Sequence, residues 1–368
     1  MRLIHCADLH LDSRMTSNLS REKARERKKE LLLTFERMVE YAAAHQVRAI
    51  LIAGDLFDTR NISATARQIF WNAVCSHREI AFFYLKGNHD TDHFLADREE
   101  IPENLKMFGT DWMSYPLGGR IVISALELTA ENAVGAAHTL ILDPERFNIV
   151  MLHGQQAETG AKEKMRLIRL RDFKNKGIDY MALGHIHAYQ EGELDARGVW
   201  CYPGCLEGRG FDECGEHGFV LLDVDEASGT CRRQFVPFAK RRFFSIPVDL
   251  SGCESVSETA VRLETAIEAQ HPAETDLVKI VLTGEIDVEY EIDAEYLRKR
   301  LEPDYYFVKL YDETAPRVDV SRFLLDTSLK GEFVRTVLSA EELSEEEQAE
   351  VIRCGLRALA GEDILECG

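Results

Sequence analysis

No stretch of this 368-residue chain approaches the roughly 20 apolar residues that a membrane-spanning helix requires, so no membrane association is expected. The start lacks a basic segment followed by an apolar one. Met1-Arg2-Leu3-Ile4-His5-Cys6-Ala7-Asp8 runs straight into a strand pattern, and a secretion signal is not expected. There is no Cys-x-x-Cys pair. The nine cysteines, an odd number, are scattered, with Cys201 and Cys205 the nearest two, which fits reduced thiols and a cytoplasmic location better than a disulfide framework. Internal repeats and low-complexity tracts are missing, and so is any excess of positive charge. A net charge of −20 argues against binding nucleic acid by bulk charge.

Charge is nevertheless local. Lys162, Lys164, Arg166, Arg169, Arg171, Lys174 and Lys176 stand close together against Glu163 and Asp172. Arg232, Arg233, Lys240, Arg241 and Arg242 have no acid between them. Taken singly, each cluster is expected to be a solvated face. Residues 341–350 are the opposite, with Glu341, Glu342, Glu345, Glu346, Glu347 and Glu350. A phosphate-handling face and an acidic tail can coexist in one chain.

At this length two or three domains are expected, and the 45% hydrophobic fraction is ordinary for a globular chain. The first part alternates strand and helix. Strands are predicted over residues 3–7, 48–53 and 79–85, and a long helix over 23–45 with Leu31, Leu32, Phe35, Met38, Val39 and Ala42 at helical spacing. Ser63 is placed to cap a helix running to about residue 76. Further strands are predicted over 120–126, 147–152, 180–183, 199–202, 219–224 and 232–237. This β-rich second half suggests two sheets packed face to face with helices outside. Near residue 242 the pattern becomes strand 243–250, helix 256–270, strand 277–283, helix 294–301 and strand 305–311. Ser255-x-x-Glu258 forms a capping box and Pro272 lies beyond the helix end. After Pro316 the chain turns helical, with a second capping box, Ser344-x-x-Glu347, and Gly361 as a C-cap. Three parts are thus expected: residues 1–241, 242–316 and 317–368. Val351, Ile352, Leu356 and Leu359 give the last helix an apolar stripe, expected to pack on its own protein at least as readily as on a partner.

Five short runs carry the chemistry: Asp8-Leu9-His10, Gly54-Asp55-Leu56-Phe57-Asp58, Gly87-Asn88-His89-Asp90, Leu152-His153-Gly154 and Gly184-His185-Ile186-His187. Each follows an apolar run that reads as a strand, and strand-end loops are where an α/β sheet presents its chemistry. Together they offer enough oxygen and nitrogen donors for two metal ions. A mixed Asp, Asn and His set suits Mn, Fe or Zn rather than calcium. If the segment is extended, Asp8 and His10 point the same way and reach one ion, with His185 and His187 approaching from the opposite side. Asp55 is the natural bridging carboxylate, Asn88 offers a neutral carbonyl oxygen, and His153 completes the set. The other histidines, His5, His45, His77, His93, His138, His217 and His271, fall in none of these motifs.

This order of motifs resembles the calcineurin-like metallophosphoesterases. The strings Ala7-Asp8-Leu9-His10-Leu11-Asp12-Ser13 and Gly54-Asp55-Leu56-Phe57-Asp58 are similar to those of the SbcD-type DNA repair exonucleases. Pro203-Gly204, Glu207-Gly208-Arg209 and Gly215-Glu216-His217-Gly218 resemble their YhaO-like branch. The resemblance is sharp over about residues 1–240 and one of layout beyond. It implies a four-layer α-β-β-α sandwich, then a small α/β capping domain and C-terminal helices. It implies two divalent ions, with Mn²⁺ expected and Fe or Zn the alternatives. One ion would fall to Asp8, His10, Asp55 and His187, the other to Asp55, Asn88, His153 and His185. His89 would contact the scissile phosphate and help protonate the leaving oxygen, with Asp90 orienting it. The nucleophile would be a water activated between the ions. The partners implied are DNA and an SbcC-like SMC-type ATPase, and a homodimer fits the same pattern. Three positions depart from the family: Asp58 where some relatives carry His, Cys205 where many carry Ser, and His217 where Lys is frequent.

The leading expectation is therefore a metal-dependent DNA exo- or endonuclease subunit acting in DNA repair. Lys164, Arg166 and Arg169, which closely follow His153, are the candidate contacts to flanking phosphates. A small-molecule or nucleotide phosphodiesterase or phosphatase is the alternative, since the metal site sees only a phosphate. The small domain after residue 242 favours the nuclease. A catalytically inactive scaffold is less expected, because no ligand is missing.

Overall fold

The computed structural model describes residues 1–15, 19–58, 62–90, 100–156, 167–290, 292–340 and 342–360. The chain divides into two compact units, Met1–Arg242 and Phe243–Gly368. The first is built on two six-stranded sheets. One is ordered Thr230–Pro237, Gly218–Asp225, Arg2–Cys6, Val47–Ala53, Ala81–Leu85, Leu105–Met107. The other is ordered Gln190–Glu193, Val199–Tyr202, Tyr180–Gly184, Phe147–His153, Ile121–Ala125, Met113–Leu117. Arg2–Cys6, Val47–Ala53, Ala81–Leu85 and Leu105–Met107 pair in parallel, as do Val199–Tyr202, Tyr180–Gly184, Phe147–His153 and Ile121–Ala125. Gly218–Asp225 pairs antiparallel with both its neighbours, and Gln190–Glu193 and Met113–Leu117 add antiparallel edges.

Alternation along each strand explains the layers, because successive side chains point to opposite faces. In Val47–Ala53, Ala49, Leu51 and Ala53 face the second sheet, whereas Ile50 and Ile52 face the outer helices. The space between the sheets is filled by Leu3, Ala49, Leu51 and Phe83 from one and Ile123, Ile149, Tyr180 and Ala182 from the other. His5 also lies between them, with its Nδ1 2.8 Å from the Tyr180 hydroxyl. Burial pulls its pKa down to about 3, so it is a neutral core residue. Outside the first sheet lie the helices Arg21–Ala44 and Ala64–Ser76, the second capped by Ser63, whose Oγ accepts from Ala66 N. Outside the second lie the short helices Ala136–Thr139 and Leu170–Phe173. This is the expected α-β-β-α sandwich.

The basic run from Arg232 is solvated at Arg232, Arg233 and Lys240, as expected from the sequence, but not at Arg241. Arg241 is buried and its guanidinium bonds Glu30 at 2.7 to 3.1 Å, while Lys240 Nζ lies 2.7 Å from Glu30. Arg27, fully buried, bonds Glu30 at 2.9 Å and Glu207 at 3.0 Å, and Thr34 donates to Glu207 at 2.7 Å. The acid that pairs with Lys240 and Arg241 comes from a helix some 200 residues earlier. Arg27→Met would leave Glu30 and Glu207 buried with fewer cations, and breaking such a pair costs roughly 3–5 kcal/mol. Urea unfolding of the variant should show a loss of about that size. Burial pushes the Glu30 carboxyl up, but its bonds to Arg241, Lys240 and Arg27 outweigh this and hold it at about 2. Its folded pKa is thus below the unfolded one, so its stabilisation is present above the ordinary carboxylate range and is lost as pH falls toward 2.

The second unit holds a parallel three-stranded sheet, ordered Phe243–Asp249, Leu277–Thr283, Phe307–Asp312. The helices Val256–Gln270 and Ala294–Leu301 share its core of Ile246, Val248, Leu263, Ile267, Val278, Ile280 and Leu297. Ser255 Oγ accepts from Glu258 N, as the capping box requires. Three helices follow, Val320–Leu324, Leu329–Leu338 and Glu345–Ala360. Ile352 and Leu356 of the apolar stripe are buried against Phe323, Val334 and Val337, while Val351 and Leu359 stay exposed. Gly361 lies outside the described residues.

Candidate metal centre

The five sequence runs converge at one end of the parallel strands of the two sheets, in the loops that leave Arg2–Cys6, Val47–Ala53, Ala81–Leu85, Phe147–His153 and Tyr180–Gly184. Three backbone bonds fasten the first loop to the second: Asp8 N to Gly54 O, His10 N to Asp55 O and Leu11 N to Leu56 O, each 3.0 Å. Asp8 and His10 have φ of 51° and 42°. The segment is therefore not extended, and alternation is not why these two side chains meet. Two left-handed residues, locked to the neighbouring loop, turn them inward. Asp55 (φ 50°) and His185 (φ 110°) also have positive φ. Such backbone conformations are costly for side-chain-bearing residues and concentrate at functional sites.

The glycines of the motifs make room. A Cβ on Gly184 would stand 1.9 Å from Ala53 O, and one on Gly54, whose φ is +96°, would stand 2.1 Å from His153 Nδ1. The two sheets approach too closely at these loops for any side chain.

Asp8, His10 and His187 can bring one ligand atom each within 4.8 Å of one another, and so can Asp8, Asp55 and His153. His10 Nε2 and His187 Nε2 face each other at 3.3 Å. Asp55 Oδ2 lies 3.4 Å from His153 Nε2 and 4.0 Å from His10 Nε2, so this carboxylate stands between two imidazoles. His153 Nδ1 lies 2.9 Å from Ala53 O and so carries the hydrogen, leaving Nε2 buried without a hydrogen-bond partner. A buried imidazole nitrogen 3.4 Å from a carboxylate, two more nitrogens facing each other and two carboxylates make a donor set that fits divalent cations. Asn88 and His185 meet at the exposed edge, where the Asn88 amide nitrogen lies 3.1 Å from His185 Nδ1. The His185 backbone N–H donates to Asp8 at 2.9 Å.

The electrostatics follow from this crowding. Burial raises the Asp55 carboxyl, but His153, His10 and the His89 N–H outweigh it and hold Asp55 far below the usual range. Burial lowers His153, yet Asp55 and Asp8 lift it to about 9. His185 is lowered by burial and by His153.

His89 is exposed, its ring 5.4 Å from that of His10 and its backbone N–H donating to Asp55 Oδ1 at 2.9 Å. Asp90 behaves differently from expectation. Its carboxylate accepts from the backbone N–H of Leu56 at 3.2 Å, Phe57 at 2.9 Å and Gly87 at 2.9 Å. Those bonds clamp two ligand-bearing loops together; they do not orient the His89 ring. Burial pushes the Asp90 carboxyl up, against these amides. Of the residues expected to meet flanking phosphates, Arg169 is exposed at the start of the helix Leu170–Phe173, and Lys164 and Arg166 lie outside the described residues.

Three residues behind the ligands were given no metal role by sequence reasoning. Glu213 Oε1 lies 2.7 Å from His187 Nδ1. Arg209 bonds Glu213 at 2.9 Å and reaches Asp58 at 3.4 Å. Asp58 in turn lies 3.2 Å from His10 Nδ1. Burial raises Glu213, but His187 and Arg209 hold it well below the usual carboxylate range. Asp58 ends the Gly54-Asp55-Leu56-Phe57-Asp58 run, whereas for Arg209 and Glu213 the sequence signal was the Glu207-Gly208-Arg209 string and the nearby Gly215-Glu216-His217-Gly218.

Among the described residues no helix is long and apolar enough to cross a membrane. Residues 1–189 match the family model for calcineurin-like phosphoesterases. The metallophosphoesterase YhaO of Bacillus subtilis is 31% identical over 61% of this chain and 57% of its own length. The DNA double-strand break repair protein Mre11 of Methanopyrus kandleri is 27% identical over 68% of this chain and 60% of its own length. The SbcD component of the SbcCD nuclease of Escherichia coli is 33% identical over 27% of this chain and 24% of its own length. The chain therefore spans less than two thirds of the length of these curated relatives. With the motif residues gathered at the sheet ends and a family match over half its length, the chain belongs to the calcineurin-like phosphoesterase family.

Proposed function

We propose that this protein is a phosphodiesterase that works with two divalent ions, Mn²⁺ foremost, and that its substrate is DNA. The observation that carries the reading is the convergence of Asp8, His10, Asp55, His153 and His187 in one cluster, with exposed His89 beside it. Two ions held there would lower the pKa of a water and neutralise charge on the phosphate as it is attacked. The chain's own residues supply the rest. Asp55 stands between the imidazoles and would balance the charge of both ions. Asn88 and His185 form the open edge toward solvent. His89 is placed to meet the phosphate and to give a proton to the departing oxygen. Asp90 keeps its loop fixed to the Asp55 loop.

DNA is supported by the Mre11 and SbcD relatives and by the second α/β unit, which phosphate hydrolysis by itself does not require. On this reading the unit starting at Phe243 serves DNA binding, with its own helices as the docking region for an SMC-type ATPase. A nuclease assay with Mn²⁺ on single-stranded, blunt and hairpin DNA tests it, with a nucleotide phosphodiester alongside. Cleavage of DNA supports it; turnover of the small diester alone replaces it with a small-molecule phosphodiesterase.

If flanking phosphates are met by the basic run after His153, reversing Lys164, Arg166 and Arg169 to Glu weakens DNA cleavage. The salt dependence should flatten by up to about 0.9 in log affinity against log salt for each duplex phosphate that is no longer neutralised. Hydrolysis of the small diester should barely change. Unchanged DNA cleavage would assign the run to a solvated face.

A further inference from the structure

We propose that Glu213 is a positioning residue for His187, and that it weights metal affinity toward the site formed by Asp8, His10 and His187. The inference rests on the dinuclear reading above and adds a residue to it.

The argument concerns which ring nitrogen carries the hydrogen. Two groups approach His187 Nδ1: Glu213 Oε1 at 2.7 Å and Arg209 Nη2 at 3.0 Å. A guanidinium can only donate, a carboxylate can only accept. The contacts therefore demand opposite tautomers. The shorter one, to the carboxylate, puts the hydrogen on Nδ1 and leaves Nε2 bare. That Nε2 faces His10 Nε2 at 3.3 Å and Asp8 Oδ1 at 3.7 Å, where an ion would sit. The guanidinium then serves Glu213, at 2.9 and 3.2 Å.

Glu213 is itself held from several sides. Its Oε2 accepts the Arg209 backbone N–H at 2.8 Å. Its backbone oxygen lies 3.0 Å from His217 Nε2, which must donate, so His217 Nδ1 accepts from the Cys205 thiol at 3.2 Å. Cys205 and His217, two loop positions that depart from the family pattern, thus fix the Glu213 main chain behind His187. Among the described residues the second site shows no carboxylate behind its histidines, and His185 Nδ1 lies 3.1 Å from the Asn88 amide nitrogen. Its buried histidine, His153, donates to the neutral carbonyl of Ala53. A carboxylate partner orients an imidazole and makes it a stronger ligand than a carbonyl does, and losing such a partner typically costs 10–100-fold in metal affinity.

The experiment is calorimetric titration of Mn²⁺ into the metal-stripped full chain. Wild type should take up two ions in two resolved steps. In a His153→Ala background, which keeps the Asp8–His10–His187 site, Glu213→Ala should weaken the remaining ion by roughly 10–100-fold. In a His187→Ala background the same change should do nothing further. Glu213→Gln, whose Oε1 still accepts from Nδ1–H, should lie between wild type and Ala, and circular dichroism of the metal-free variants should be unchanged. Undiminished affinity of Glu213→Ala in the His153→Ala background overturns the proposal, and so does an equal loss in the His187→Ala background. If Glu213→Ala does not fold, Glu213→Gln carries the test, and wild-type affinity there overturns it. Uptake of fewer than two ions by wild type defeats the dinuclear reading instead, while the His153→Ala background still reports on Glu213.

Discussion

Asp55→Asn is expected to strip the protein of at least one of its two metal ions and to lower phosphodiester turnover by at least two orders of magnitude. Asp55 is 2% exposed, and its Oδ2 stands between His153 Nε2 and His10 Nε2. Its Oδ1 is fixed by the His89 N–H, and no side chain fits at Gly87, where a Cβ would stand 2.1 Å from that oxygen. The carboxylate thus has one orientation, and an Asn placed there keeps the shape while removing the charge that balances two cations. Removing a group merely behind a metal ligand costs about 10–100-fold in affinity or activity. Removing the shared carboxylate itself must cost more. Elemental analysis of the purified variant, with hydrolysis of a generic bis-phosphodiester, measures both effects. Two ions per chain and wild-type turnover would defeat the bridging assignment.

Most of this architecture could be read from the residues, for reasons visible in particular elements. Val47–Ala53 and Phe147–His153 are short apolar runs bounded by motif loops, and Arg21–Ala44 carries its buried residues at helical spacing. Two edge strands of the second sheet were missed because the pattern that betrays a strand is a buried face. Met113–Leu117 contains Pro116 and Gln190–Glu193 is polar, so neither shows alternation, yet both pair antiparallel at sheet edges. The first motif was legible as chemistry but not as geometry. Asp8 and His10 meet through left-handed backbone, which no two-residue periodicity encodes. The residues behind the ligands were illegible for a different reason. Glu213 meets His187 across 26 positions and Arg241 meets Glu30 across 211. Contacts of that range leave no local pattern, so an isolated Glu or a run of bases reads as surface until the fold closes over it.

His89→Asn should retain both metal ions yet lose roughly 10²–10⁴-fold in turnover, the range that a positioned proton donor contributes. The geometry separates His89 from the metal ligands. Its ring is exposed where those of His10 and His153 are buried, and it meets the His10 ring edge-on with centroids 5.4 Å apart. What His89 gives the centre is its backbone N–H on Asp55, and Asn supplies the same N–H. Asp90 still clamps the loop through Leu56, Phe57 and Gly87, so the substitution leaves the ligand frame untouched. A side chain acting chiefly in the transition state lowers kcat and kcat/KM together. The loss should therefore appear in kcat with KM little changed. It should also shrink for a diester whose leaving group is acidic enough to depart without a proton, because protonation is then no longer needed. Metal content measured alongside decides the role: a variant that emerges with one ion or none makes His89 a ligand, and equal losses on good and poor leaving groups remove the proton-donor assignment.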